Sequence, residues 1–251
     1  MYSYKNDGIE AAGAALDEDD VQSLSRMVST LLINADVVRN SVTVRSVAQN
    51  KPHKIYCEVP DTEPALPFIV SDLISIDRRF AKILMGLPIV KQVANYLEVP
   101  VEEVVFHFSN VTSKPAKYGP EISAHRDYPN QYFCPVSSEF IRVLIPVDPM
   151  SEKNGGLYFV RSSHFISDEE ARSRGARNND NVPSKVEYIN ALPGDLVFLN
   201  SKTMHGSLPN KSDETRHLLV VQYGIRYQEL SVRNDEFMSL ATIGEMANLE
   251  H

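Results

Sequence analysis

From Pro100 onward the chain breaks into short runs rich in β-branched and aromatic residues, separated by turn signals. The runs are Val104–Phe108, Phe140–Val147, Gly156–Val160, Val186–Ile189, Asp195–Leu199 and His217–Tyr223. Lys114-Pro115, Asn154-Gly155-Gly156, Pro193-Gly194-Asp195 and Leu208-Pro209-Asn210 punctuate them, and Gly, Pro and Asn supply the backbone that tight turns need. Many short strands with turns between them bury their apolar faces by packing sheet on sheet. A sandwich or barrel is therefore predicted, here a jelly roll.

The first hundred residues have a different texture. Val21, Leu24, Met27, Val28 and Leu31 recur at three- and four-residue spacing between Leu16 and Leu32, which is a helix with one buried stripe. Asp17, Glu18, Asp19 and Asp20 suit the positive end of its dipole. A second helical region covers about Ile69–Leu97 and is broken at Gly86-Leu87-Pro88, where Pro88 opens a new helix through Val90, Val93 and Leu97. With no internal repeat or low-complexity linker, the 251 residues read as one domain. Its parts are a helical region (about 1–100), a jelly-roll core (about 101–228) and a tail (229–248); Leu249-Glu250-His251 reads as a tag scar. The polar stretch Ser163–Ser184 is a long insertion between strands, either surface decoration or a lid. Ser167-Asp168-Glu169-Glu170 within it has the form of a capping box that starts a short helix.

Charge and composition narrow the partners. A formal charge of -8 argues against broad binding to nucleic acid or anionic membranes, though not against a local basic pocket. Cys57 and Cys134 make neither a metal cluster nor a disulfide framework, so a reduced, cytoplasmic setting is expected. No stretch reaches the roughly 20 apolar residues of a membrane helix, and Met1–Asp7 lacks the charged-then-apolar pattern of a signal peptide. A small-molecule substrate is the expected partner.

The chemistry lies in His125-Arg126-Asp127 and, far downstream, Met204-His205-Gly206. On an extended strand His125 and Asp127 project to the same side, and His205 can join them from a strand folded alongside. Two imidazoles and one carboxylate on one face of a divalent metal form the facial triad of non-haem Fe(II) oxygenases, with the opposite positions open. His-Arg-Asp also opens the protein-kinase catalytic loop, but that loop needs an Asn where this chain has Tyr132, and no Gly-rich phosphate loop is present. Arg216 opens the strand Arg216–Val221; buried there it requires an anion, and a carboxylate matches its planar fork. A surface pairing with Asp213 or Glu214 is the alternative.

Taken together, His125-x-Asp127, the Pro-Gly-Asp turn, His205-Gly206-Ser207-Leu208-Pro209-Asn210 and Arg216 resemble the phytanoyl-CoA dioxygenase family of Fe(II)- and 2-oxoglutarate-dependent oxygenases. Asn154–Val160 through Ser162-Ser163-His164 resembles another segment of that family, with Ser162 in place of the usual Gly. The likeness covers about Val104–Tyr227. It implies a double-stranded β-helix (cupin-like) core after the N-terminal helices, so the expected class is mainly β with helices (α+β). It implies iron on His125, Asp127 and His205, 2-oxoglutarate on Arg216 and Ser207 with Lys114 nearby, and O2 as oxidant. Arg142 shares a strand face with Phe140 and Leu144; facing inward it would fix an acidic substrate, and facing outward it would be solvated. His107, His164 and His217 read as structural.

The implied reaction hydroxylates an unactivated C–H bond of a small polar metabolite or natural-product intermediate, releasing succinate and CO2. Desaturation or ring closure by the same chemistry stays open. Related halogenases have a small residue where this chain has Asp127, so halogenation is disfavoured. A zinc hydrolase and a non-catalytic jelly-roll binding protein are the rivals. The first leaves Arg216 and Ser207 unexplained; the second leaves the full ligand set unexplained.

Overall fold

The computed structural model describes residues 2–33, 44–48, 55–56, 65–129, 134–173, 184–228 and 230–231. Its helices are α1 (Tyr4–Asp7), α2 (Glu18–Ile33), α3 (Leu73–Ile76), α4 (Arg79–Leu84), α5 (Leu87–Leu97) and α6 (Asp168–Ser173). The first strands are β1 (Ile9–Ala12), β2 (Val44–Ala48), β3 (Ile55–Tyr56), β4 (Ala65–Ser71), β5 (Val104–Lys114) and β6 (Ile122–His125). There follow β7 (Cys134–Pro135), β8 (Ile141–Pro146), β9 (Leu157–Phe159), β10 (Glu187–Tyr188), β11 (Leu196–Asn200), β12 (His205–Ser207), β13 (Arg216–Ile225) and β14 (Leu230–Ser231).

Two antiparallel sheets build the jelly roll. The larger, eight-stranded sheet runs β1-β11-β8-β13-β5-β4-β2-β3, and the smaller, four-stranded one runs β10-β9-β12-β6. A two-stranded ribbon pairs β14 with β7. Alternation along the central strands sorts side chains into two cores. Ile141, Val143 and Ile145 of β8, with Leu219, Val221 and Tyr223 of β13, pack against α2, α4 and α5 through Leu24, Phe80, Val90 and Val93. Leu144 of β8, Leu218 of β13, and Val197 and Leu199 of β11 face the other way, onto Leu157 and Phe159 of the smaller sheet. Helices therefore cover one side of the large sheet, and the space between the sheets holds the site.

Elements predicted from residue patterning are present within a few residues. The expected helix at Leu16–Leu32 is α2, and Pro88 sits in the first turn of α5 as expected. Ser167 accepts a hydrogen bond from the Glu170 amide and so caps α6. The N-terminal third is less helical than expected, because β1 to β4 lie in it. β1 forms one edge of the large sheet against β11, and β4 joins the other side through β5. Its Ile69–Ser71 end falls where a helix was expected; Val70 meets Val111 across the ladder, and that contact outweighs local preference. The insertion Ser163–Ser184, read as either surface decoration or a lid, lies partly outside the described residues, as does most of the expected tail 229–248 and all of residues 249–251, read as a tag scar. No helix among the described residues is long and apolar enough to cross a membrane.

Candidate metal centre

His125 ends β6 and His205 begins β12, so in an antiparallel pair the two become direct cross-strand partners. Their rings stand 4.3 Å apart, centroid to centroid, at 50°. Asp127 follows two residues beyond His125, with its Oδ1 3.9 Å from His125 Nε2 and its Oδ2 3.9 Å from His205 Nε2. One donor atom from each of the three residues lies within 4.8 Å of the others. Asp127 and His205 are buried, while His125 keeps part of its ring toward solvent.

Both histidines are oriented alike. His125 Nδ1 lies 2.9 Å from the Ser123 carbonyl and His205 Nδ1 2.9 Å from the Thr203 carbonyl. A carbonyl only accepts, so each Nδ1 carries the proton and each Nε2 presents a lone pair to a metal. Burial, then the neighbouring His125, pushes His205 down to about 4, so it is neutral near neutrality, as a ligand must be. Burial works to raise the Asp127 carboxyl, but Arg142, then the two histidines, outweigh it and hold it below its ordinary value. Asp127 Oδ2 is buried without a hydrogen-bond partner. An ionised carboxylate with one unpartnered oxygen, beside two Nε2 lone pairs, is a site that a divalent cation completes.

Supports from elsewhere in the chain fix this corner. The Thr203 hydroxyl donates to the Gly8 carbonyl at 2.8 Å, and the Asn200 amide donates to the same oxygen at 2.9 Å. The N-terminal turn thus braces the loop that carries His205. Gly206, beside the ligand, lies under Tyr158, and a methyl there would overlap the phenol hydroxyl.

A second buried cluster sits on neighbouring strands of the larger sheet, linked to β12 through Ser207. Arg216 and Lys114 are cross-strand partners on β13 and β5, 1% and 0% exposed. Lys114 is thus the last residue of a strand, not part of a loop. Its Nζ donates to Ser207 Oγ at 2.7 Å and to the Leu208 carbonyl. Arg216 Nη2 donates to the Gly155 carbonyl at 2.9 Å, and its Nε and Nη1 have no partner. The surface alternative fails, since Asp213 pairs with Lys117 instead. Burial pulls the Arg216 guanidinium down to about 10, and burial followed by Arg216 pulls Lys114 well below its ordinary range. Among the described residues no carboxylate lies within ion-pair distance of either cation. Two adjacent buried cations with free donors fit the distal carboxylate of a dicarboxylic acid whose other end reaches the metal.

Arg142 faces the interior, 7% exposed, with Nη2 3.3 Å from Asp127 Oδ1 and its guanidinium carbon 4.3 Å from the centre of the Phe108 ring. The remaining histidines among the described residues hold structure. His217 pairs with Asp148, and His164 contacts the Lys5 carbonyl. His107 lies at a bulge of β5 against the Gln222 amide, where regular strand alternation between Phe106 and Phe108 is interrupted. Sequence reasoning missed the Gly155 and Leu208 carbonyls, which carry no side-chain signal. It also missed an ion-pair cluster in which Arg126 and Lys202 both meet Asp168 of α6.

A jelly roll with two histidines and one carboxylate between its sheets, and a buried cation pair farther along the barrel, defines the class of 2-oxoglutarate-dependent non-haem iron dioxygenases. The chain belongs to the phytanoyl-CoA dioxygenase (PhyH) family, whose model matches residues 6–218. It is similar to a probable alpha-ketoglutarate-dependent hypophosphite dioxygenase of Stutzerimonas stutzeri, 26% identical over 133 residues, 49% of this chain and 46% of that protein. The match thus spans less than half of that relative's length. Two solved structures share the fold. AviO1 from Streptomyces viridochromogenes Tue57 has a TM-score of 0.71 at 22% identity, covering 90% of this chain and 93% of that one. EctD from S. alaskensis, with 2-oxoglutarate and 5-hydroxyectoine, has a TM-score of 0.70 at 17% identity, covering 91% and 76%.

Proposed function

We propose that this protein is an Fe(II)- and 2-oxoglutarate-dependent hydroxylase acting on an unactivated C–H bond of a small polar metabolite or natural-product intermediate. The observation that carries the reading is Arg216: a fully buried guanidinium with two idle donors, cross-strand from Lys114, which in turn bonds Ser207. A zinc hydrolase has no use for such a cation pair. When bound, iron and 2-oxoglutarate supply the oxidising chemistry, in which O2 converts the co-substrate to succinate and CO2 and one oxygen atom passes to the substrate carbon.

The residues divide that work. His125, Asp127 and His205 hold the metal through one face. Arg216 and Lys114 neutralise the distal carboxylate, and Ser207, whose oxygen accepts from Lys114, keeps its own hydrogen for a ligand oxygen. Leu144 and Leu218, on the interior face between the two ends, keep water from the co-substrate's carbon chain. The carboxylate of Asp127 fills the position that a halide would need, which favours hydroxylation over halogenation. The small polar molecules in the relatives' names, hypophosphite and 5-hydroxyectoine, support the substrate class.

Anaerobic addition of Fe(II) and 2-oxoglutarate is expected to give a weak visible metal-to-ligand band, and a screen of small polar compounds in air is expected to raise succinate release. A colourless mixture that releases no succinate would overturn the reading.

A further inference from the structure

One buried cation touches a metal ligand without being a ligand. Arg142 sits on the interior face of β8, across from Leu199 on β11 and Gln222 on β13. Its guanidinium lies over the Phe108 ring, a contact that fixes the plane of the fork. From there Nη2 reaches Asp127 Oδ1 at 3.3 Å. Asp127 is carried by the turn after β6, in the smaller sheet's part of the fold, whereas Arg142 belongs to the middle of the larger sheet. The ion pair therefore spans the two halves of the jelly roll at the metal site. Each carboxylate oxygen lies 3.9 Å from one ligand histidine, but the two are not equivalent: Oδ1 is engaged by the cation, while Oδ2 is buried without a hydrogen-bond partner.

We propose that Arg142 is a positioning residue for the metal carboxylate: by holding Asp127 Oδ1 it leaves Oδ2 as the one oxygen offered to iron, and it draws electron density from that ligand. The proposal rests on the iron and 2-oxoglutarate reading of the site. A bidentate carboxylate would occupy a position that 2-oxoglutarate or O2 needs, so restricting Asp127 to one oxygen keeps the open face open. A cation beside the ligand makes the carboxylate a weaker donor, leaves the iron electron-poor and raises the energy needed to move an electron from iron to 2-oxoglutarate. This differs from a role in substrate binding, which would leave the substrate-free complex unchanged.

The test uses the full chain under anaerobic conditions, without substrate. Fe(II) is titrated into wild type, Arg142→Met and Arg142→Lys, and the visible band is recorded with saturating 2-oxoglutarate. The Met variant is expected to bind Fe(II) roughly 10- to 100-fold more weakly, the range typical of lost outer-sphere partners. Its band is expected to move to longer wavelength, because a richer iron gives up its electron more readily. The Lys variant keeps the charge but not the fork and is expected to fall between. Lys at this position also retains a counter-charge for Asp127, so it decides the matter if the Met variant does not fold. Wild-type affinity and an unmoved band in a folded variant overturn the proposal while leaving the oxygenase reading intact. Absence of a band in wild type overturns both.

Discussion

His125 and His205 meet as cross-strand partners of β6 and β12, and each gives its Nδ1 hydrogen to the carbonyl two residues before it. The same local geometry, repeated on two strands, sets both tautomers before any metal arrives. The site is thus pre-organised, and its ligands cost little further ordering when an ion binds.

Replacing a ligand removes a bond from that arrangement. His205→Ala and Asp127→Ala are each expected to lower Fe(II) affinity by more than the roughly 100-fold upper range for outer-sphere changes. Both should abolish succinate release. Metal titration followed by a coupled succinate assay checks this; near-wild-type binding in either variant would remove that residue from the ligand set.

Arg216 separates co-substrate binding from stability. Arg216→Met is expected to weaken 2-oxoglutarate binding by about 2–5 kcal/mol, the range for a buried charge pair deprived of one partner. Without the co-substrate the same variant should melt no lower than wild type, because it removes an unpaired buried charge. Thermal melts with and without 2-oxoglutarate report both quantities, and an unchanged ligand-induced shift would count against the assignment.

The brace between the N-terminal turn and the His205 loop is testable with one atom exchanged. Thr203→Val keeps the volume and the carbonyl that holds His205, but leaves the buried Gly8 carbonyl with one donor fewer. A loss of about 1–3 kcal/mol in stability is expected, measured by denaturant unfolding. Gly8→Ala should cost more, since Gly8 has φ +82° and a methyl would overlap the Thr203 hydroxyl. Equal stability of Thr203→Val and wild type would show that the brace contributes nothing.

Acid sensitivity follows from His107. Burial, then Arg142, pushes it down to about 3, so the folded protein keeps it neutral while an unfolded chain protonates it near its ordinary 6.5. Its contribution to stability is complete above pH 6.5 and is lost as the pH falls from there toward 3. The slope it adds is at most about 1.4 kcal/mol per pH unit. His107→Asn retains an acceptor for the Gln222 amide and does not titrate, so its stability should decline less steeply between pH 6.5 and 4. Parallel curves for the two proteins would contradict this.

Much of the site could be read from the chain because its residues carry their chemistry locally. His125-x-Asp127 projects to one side on any extended backbone, and Arg216 at the head of an apolar strand demands an anion wherever it is buried. β6 and β12 were harder to see, since Ile122–His125 and His205–Ser207 have little apolar patterning and owe their extended form to each other and to β9. β1 is likewise made by its neighbour: Ile9-Glu10-Ala11-Ala12 has little β propensity but pairs along Leu196–Leu199. Strand alternation puts Arg142 on one face with Leu144, but which way that face turns, and the partner Asp127, depend on how the two sheets close and leave no mark in the sequence.

The order of the smaller sheet carries a last consequence. Among the described residues β6 is its edge, held on one side by the three-residue strand β12, whose own other neighbour is β9. An ion bound to His125 and His205 ties that outermost strand to the interior one, like a clasp on a hem. Loss of iron would then do more than stop turnover. It would free the edge to fray, and a protease should cut the apo chain near residues 122–129 well before it cuts the helix-covered sheet, while iron-loaded chains resist. The reagent of the reaction would also be the fastener of the fold.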